Sequence, residues 1–171
     1  MRTKTTSRRS TLPQRRVRRG NPLLQEHVHD PYRSDVKQRT PVCCPQCGST
    51  YRNGRWTWER LAASSPPVMC PACRRINDRY PAGEITLGGP FLAEHAGEAE
   101  RMIDNIARAE SREHPLNRVI DVKRTAEGLV VTTTDIHLPR RIGHAFEDAW
   151  GGKLVTHYDE EGHFARVRWE R

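Results

Sequence analysis

Apolar residues are spaced in three different ways along this chain of 171 residues, and the changes of spacing divide it. Over residues 1–40 they are sparse among Arg, Thr, Ser, Pro and Gln. Such a stretch buries too little surface to offset the entropy of ordering its backbone, so a disordered arm is predicted there. Over 41–80 the apolar positions follow no period, and the aromatic residues Tyr51, Trp56 and Trp58 flank Asn53-Gly54. Asn-Gly between alternating aromatics is a hairpin signal. A loop of Ser64 to Pro67 follows. From residue 81 onward regular periods begin, and 81–171 is predicted to be one compact domain.

Within that domain, Pro90 opens a segment in which Leu92, Ala96, Ala99, Met102, Ile103, Ile106 and Ala107 recur at helical spacing. The pattern predicts a helix running to about Ser111, preceded by a turn at Gly88-Gly89. Val119–Val122 and Leu129–Thr133 are rich in β-branched residues and read as a strand pair joined through 123–128. Leu138, Ile142, Ala145, Phe146 and Ala149 mark a second helical stripe that stops at Gly151-Gly152. Leu154–Tyr158 and Phe164–Trp169 close the chain as a hairpin, with the constraint that Phe164, Val167 and Trp169 cannot all share one face. The predicted fold is therefore α+β: a disordered basic arm (1–40), a cysteine module (41–80) and an αββαββ domain (81–171).

The cysteines change the reading of the middle segment. Four of the five form two CxxC pairs, Cys44-Pro45-Gln46-Cys47 and Cys70-Pro71-Ala72-Cys73, separated by 22 residues. Each tight turn lets two thiolates reach one ion, and this spacing lies close to that of four-cysteine zinc ribbons. One structural zinc held by Cys44, Cys47, Cys70 and Cys73 is predicted. Duplicated pairs favour shared metal over redox dithiols, and the arrangement suits a reducing compartment. Cys43 replaces Cys44 only by opening the knuckle to CxxxC, so it reads as a neighbouring free thiol. A site closed by four thiolates leaves no coordination position for substrate, so the metal does not imply catalysis.

Charge adds a partner. Residues 1–25 contain Arg2, Lys4, Arg8, Arg9, Arg15, Arg16, Arg18 and Arg19 and no acid, which accounts for the whole net charge of +8. The segment reads as a solvated tail, as a mitochondrial presequence or as a nucleic-acid-binding arm; Pro13, Gly20 and Pro22 interrupt the long amphipathic helix a presequence prefers. The cysteine module adds Arg52, Arg55, Arg74 and Arg75 beside Trp56 and Trp58, a combination suited to phosphates and unstacked bases. The two tryptophans equally well pack against the C-terminal domain. No apolar run approaches the roughly 20 residues of a spanning helix, so a soluble, cytoplasmic protein without a membrane partner is expected.

Two polar segments, His114 to Arg118 and Thr132 to Arg141, stand where strands meet helices. Asp135 or Thr134 is placed to cap the second helix. Alternatively that helix start, with Arg140, Arg141 and His144, binds an anion, or His114, Asp135 and His137 form a small catalytic or second-metal cluster. Gly151-Gly152-Lys153 lacks the upstream glycine and the following Ser or Thr of a P-loop.

With Gly54-Arg55-Trp56-Thr57-Trp58, Cys70 to Ile76, Tyr80 to Gly83, His114 to Arg118 and Thr133 to Leu138 in view, the chain over 41–171 resembles an uncharacterised bacterial zinc-ribbon family. More distantly it is similar to the nonsense-mediated-mRNA-decay protein 3 family, the large-ribosomal-subunit export adaptors, which carry more CxxC pairs and longer chains. The resemblance implies association with rRNA or the ribosome. The expected function is non-catalytic RNA or ribosome binding through the arm, the module's Arg and Trp residues, and Arg140 and Arg141. A small enzyme or a protein-interaction adaptor are the alternatives.

Overall fold

The computed structural model describes Tyr32 and residues 41–60, 65–159 and 162–171. Apart from Tyr32, the expected disordered arm lies outside these residues. The chain is α+β, with two sheets. A three-stranded antiparallel sheet is built from β1 (Val42–Cys43), β2 (Thr50–Arg52) and β3 (Arg55–Thr57) and is followed by helix α1 (Pro71–Asp78). The Asn53-Gly54 turn joins β2 to β3 with φ of 53° and 85°. Two successive positive φ angles match the twist of a two-residue hairpin, which is why this dipeptide announces it.

The larger sheet contains β4 (Gly83–Gly88), β5 (Val119–Thr125), β6 (Gly128–Thr133), β7 (Lys153–Tyr158) and β8 (Ala165–Glu170), in the order β5-β6-β4-β8-β7. The central pair β4 and β8 is parallel; every other neighbouring pair is antiparallel. Helices α2 (Pro90–Glu94) and α3 (Ala96–Glu113) follow β4, and α4 (Leu138–Trp150) connects β6 to β7.

Register explains the core. Ile85 stands between Val131 and Val167, and Leu87 between Leu129 and Trp169, all buried. Because strand side chains alternate, these residues line one face, and Ala99 and Ile103 of α3 with Leu138, Ile142 and Phe146 of α4 close over it. Phe146 meets Trp169 edge-on, and the Trp169 indole nitrogen donates to the Gly151 carbonyl at 2.8 Å, so the buried ring keeps its polar atom satisfied.

Three sequence expectations change. The αββαββ order is incomplete: the compact domain runs βααββαββ, because β4 is an additional strand at its centre. Its six residues hold only Ile85 and Leu87 as large apolar side chains, between Gly83 and Gly88, and glycines weigh against a strand. The first helix is broken at His95 (φ −114°, ψ 19°), where its imidazole stacks on Phe91 at 4.2 Å. The last strand begins at Ala165, so Ala165, Val167 and Trp169 point inward, and Phe164 lies under the Arg166 guanidinium at 4.7 Å. Among the described residues no helix is long and apolar enough to cross a membrane.

Gly128 follows the β5–β6 turn at φ 136°, and a Cβ there runs into the Leu87 carbonyl oxygen of the central strand. Gly151 also has positive φ, 69°, but open space around it. Gly128→Ala is therefore expected to cost several kcal/mol, more than the roughly 1 kcal/mol of Gly151→Ala, where only the backbone conformation resists. Urea denaturation of the two variants checks the order.

Candidate metal centre

Two local structures deliver the four cysteines. The first pair sits on the β1–β2 connection, where the Gly48 amide donates to the Cys44 carbonyl at 2.9 Å and the Cys44 amide to the Ser49 carbonyl at 2.8 Å. Gly48 takes φ 76°, which lets the chain turn back under the sulfurs. The second pair is not a hairpin knuckle of the expected ribbon kind. Cys70 is the N-cap of α1, its sulfur accepting from the Cys73 amide at 3.4 Å, and Pro71 occupies the first turn. Proline is pre-shaped for that position, so Cys-Pro-Ala-Cys starts a helix and places its two sulfurs on one turn.

The four sulfurs lie within 4.8 Å of one another, with Cys47 and Cys70 3.7 Å apart. Tetrahedral thiolates at about 2.3 Å from a metal are roughly 3.8 Å from each other, whereas a disulfide needs about 2 Å. The cluster fits a shared metal ion. Cys44, Cys70 and Cys73 are buried, Cys47 is half-buried, and Trp56, Met69 and Leu116 pack around them. Cys43 lies outside the cluster, with its thiol facing the Gly48 carbonyl at 3.8 Å.

Each sulfur also meets a donor. The Cys70 amide points at Cys44 Sγ (3.4 Å), and the Ser49 hydroxyl lies 3.1 Å from Cys47 Sγ. The Arg118 guanidinium, from the far side of the chain, reaches Cys47 at 3.1 Å, Cys73 at 3.5 Å and Cys70 at 3.8 Å. Burial would raise the Cys47 thiol, but the hydrogen bonds of Ser49 and the charge of Arg118 bring it down to about 6. Burial pushes Cys70 and Cys73 up instead. A bound metal ion would hold all four as thiolates.

Arg118 is the site residue that sequence reasoning missed. Its Nε donates to the Pro115 carbonyl at 2.6 Å and its amide to Thr134 Oγ1 at 2.9 Å, while the Thr134 hydroxyl donates to the Leu116 carbonyl at 2.5 Å. The two polar segments singled out by their sequence are thus one structure, the loop that carries Arg118 and the strand end that braces it. The spacing of the cysteines gives no signal for it.

The remaining candidates fall into distinct settings. Arg8, Arg9, Arg15, Arg16, Arg18 and Arg19 lie outside the described residues. Arg55, Arg74 and Arg140 are exposed, and Arg52 faces Glu59 at 3.5 Å. Arg75 is buried: its guanidinium lies over the rings of Tyr32 (4.6 Å) and Tyr80 (5.6 Å) and donates to the Tyr80 carbonyl. Trp56 is half-buried, packed against the cysteines and tilted onto Tyr51 at 5.6 Å. Trp58 is 40% exposed; its indole donates to the Ser111 carbonyl at 2.7 Å, and Arg118 lies over its ring at 5.6 Å. It packs against the C-terminal domain.

At the polar cluster the capping role is the one observed. Asp135 Oδ1 accepts from the His137 and Leu138 amides at 2.8 and 2.9 Å, so its carboxyl satisfies two amides at the start of α4. Arg141 pairs with buried Glu110 at 2.7 Å, and His144 with Glu147 at 3.4 Å. Asp135 and His137 line a cleft of about 310 Å³ with Ala72 and Arg75 of the cysteine module. His114 does not line that cleft and turns to Glu110 at 3.8 Å. Comparison of the chain with protein-family models, with curated proteins and with solved structures finds no match.

Burial raises the Asp135 carboxyl, and its Oδ2 is buried without a hydrogen-bond partner among the described residues. A raised acid favours folding most below its ordinary value, and that contribution is lost as pH rises through the folded-state value. The stability of the parent protein relative to Asp135→Asn should therefore fall as pH rises above about 4, the ordinary aspartate value. Asp135→Ala, which removes the cap, should cost about 1 kcal/mol. Denaturation at several pH values measures both.

Proposed function

We propose that the protein is a non-catalytic, zinc-binding RNA- or ribosome-associated protein. The observation that carries this reading is the pairing of a four-cysteine cluster with arginines held at fixed positions around it. Zinc is the metal that suits four thiolates in a closed tetrahedral site, and a site closed in this way is structural. Such a centre fixes the β2–β3 hairpin and α1, and with them exposed Arg55 at the hairpin turn and exposed Arg74 and Arg79 on and just after the helix. Arg140 adds a further exposed cation at the start of α4.

Guanidinium groups held in place recognise phosphate by paired hydrogen bonds and cost little entropy on binding. The acid-free segment 1–25 supplies eight more cations on the same chain. Cations of that segment together with those of the module suit a polyanion whose backbone both contact. Ribosomal RNA is the proposed target, in keeping with the resemblance to the export adaptors.

Two experiments test this. Metal analysis of the purified full chain should give one zinc per chain, retained in Cys43→Ser and lost in Cys73→Ser; a chain that purifies without zinc and takes none up refutes the metal half. In co-sedimentation with ribosomes or filter binding to rRNA, affinity should fall by on the order of 10² between about 50 and 200 mM salt, and the slope should flatten when residues 1–25 are deleted. Absence of binding at low salt refutes the RNA half.

A further inference from the structure

The cysteine module supplies all four sulfurs but not the charge that balances them. Four thiolates around a divalent cation leave a net charge of −2, and a buried charge without a counter-ion is costly. The only guanidinium reaching the cluster among the described residues belongs to Arg118, which lies 45 residues beyond Cys73 in the chain and directly before β5 of the other sheet. We propose that Arg118 is the outer-sphere counter-cation of the metal centre, and that metal binding and docking of the cysteine module onto the α+β domain are therefore one coupled event.

The geometry is specific to arginine. The planar fork sends one nitrogen to Cys73 and the other to Cys47 and Cys70, while Nε is held by the Pro115 carbonyl. A lysine ammonium, one point charge, cannot make this set of contacts. The Trp58 ring lies over the guanidinium and is itself tied to the carbonyl of Ser111 near the end of α3. Leu116 packs on the cysteines from the same loop, and Asn117 donates to buried Glu110 at 2.9 Å. The loop 114–118 is thus braced from the sheet by Thr134 and from α3 by Glu110, and it presents one cation to three sulfurs.

Coupling of this kind is reciprocal: whatever factor Arg118 adds to metal affinity, metal adds to the docked arrangement. Hydrogen bonds from neighbours of the ligands typically change metal affinity 10- to 100-fold. This inference rests on the metal reading of the four cysteines.

The full-length chain and its Arg118→Met and Arg118→Gln variants are loaded with zinc, and affinity is measured by competition with a chromophoric chelator. Hydrogen exchange of residues 111–118 is followed with and without zinc. The parent chain should bind one zinc and lose protection of 111–118 on chelation. Arg118→Met should bind zinc about 10- to 100-fold more weakly and show those amides unprotected even when zinc-loaded, while β4 and β8 stay protected. Arg118→Gln, which keeps an amide donor, should fall between them and decides the matter where the methionine variant does not fold. In the cobalt(II) form, loss of the guanidinium should move the thiolate-to-metal charge-transfer band to lower energy. A folded variant with parental zinc affinity and parental metal-dependent protection overturns the proposal; a parent chain that binds no zinc fails the metal reading itself.

Discussion

The cysteine module has almost no apolar core, and everything about its placement follows from that. Its buried centre consists of Cys44, Cys70, Ala72 and Cys73, ringed by Cys47, Trp56, Met69 and Leu116. A segment of this size cannot bury enough apolar surface to hold itself together, so the convergence of four sulfurs does the work a core does elsewhere. Sulfurs brought so close repel as thiolates and need cations as partners. Amides at the start of α1 and the hydroxyl of Ser49 meet part of that requirement locally; the remainder comes from outside the module, from Arg118.

That dependence accounts for features of the larger domain that its own packing does not explain. Arg118 has to arrive at a fixed distance from the sulfurs, so the loop before β5 is braced by Thr134 of the strand end after β6 and by Glu110 of α3. Glu110 in turn, buried on α3, pairs with Arg141 of α4. A chain of short polar contacts therefore runs from the cysteine cluster through the loop to both long helices. Removing one partner from such a chain strands a desolvated charge, which costs more than the intact contact contributes.

How far the sequence could be read depends on where the determinants lie. The β2–β3 turn, the ends of α4 and the four cysteines were legible because each is set by residues adjacent in sequence: Asn53-Gly54, Gly151-Gly152 and two CxxC pairs. The central strand was not, because β4 is defined by its pairing on both sides with β6 and β8, forty or more residues distant, and its own six residues begin and end with glycine. Helix α1 was missed for a different reason: its sequence, Pro-Ala-Cys-Arg-Arg-Ile-Asn-Asp, is only 8 residues long, too short for a helical period to repeat, and it is started by Cys70 and Pro71. Arg118 was invisible as a site residue since no local pattern links it to cysteines that precede it by 45 to 74 positions.

The same long-range contacts revise what the net charge means. Counting arginines in the cysteine module treats them as equivalent surface cations, yet Arg75 is buried against two tyrosine rings that stack on each other, and two arginines of the larger domain are committed as well, Arg118 to sulfur and Arg141 to Glu110. The tryptophans are engaged too, Trp56 with the cysteines and Trp58 with α3. A polyanion approaching the cysteine module and the start of α4 therefore meets a sparse set of exposed cations, Arg55, Arg60, Arg74, Arg79 and Arg140, rather than a dense patch with stacking platforms. Sparse fixed cations define orientation better than they supply affinity. On the proposed reading, affinity has to come from the acid-free arm, and the module's contribution is the geometry in which the arm is delivered.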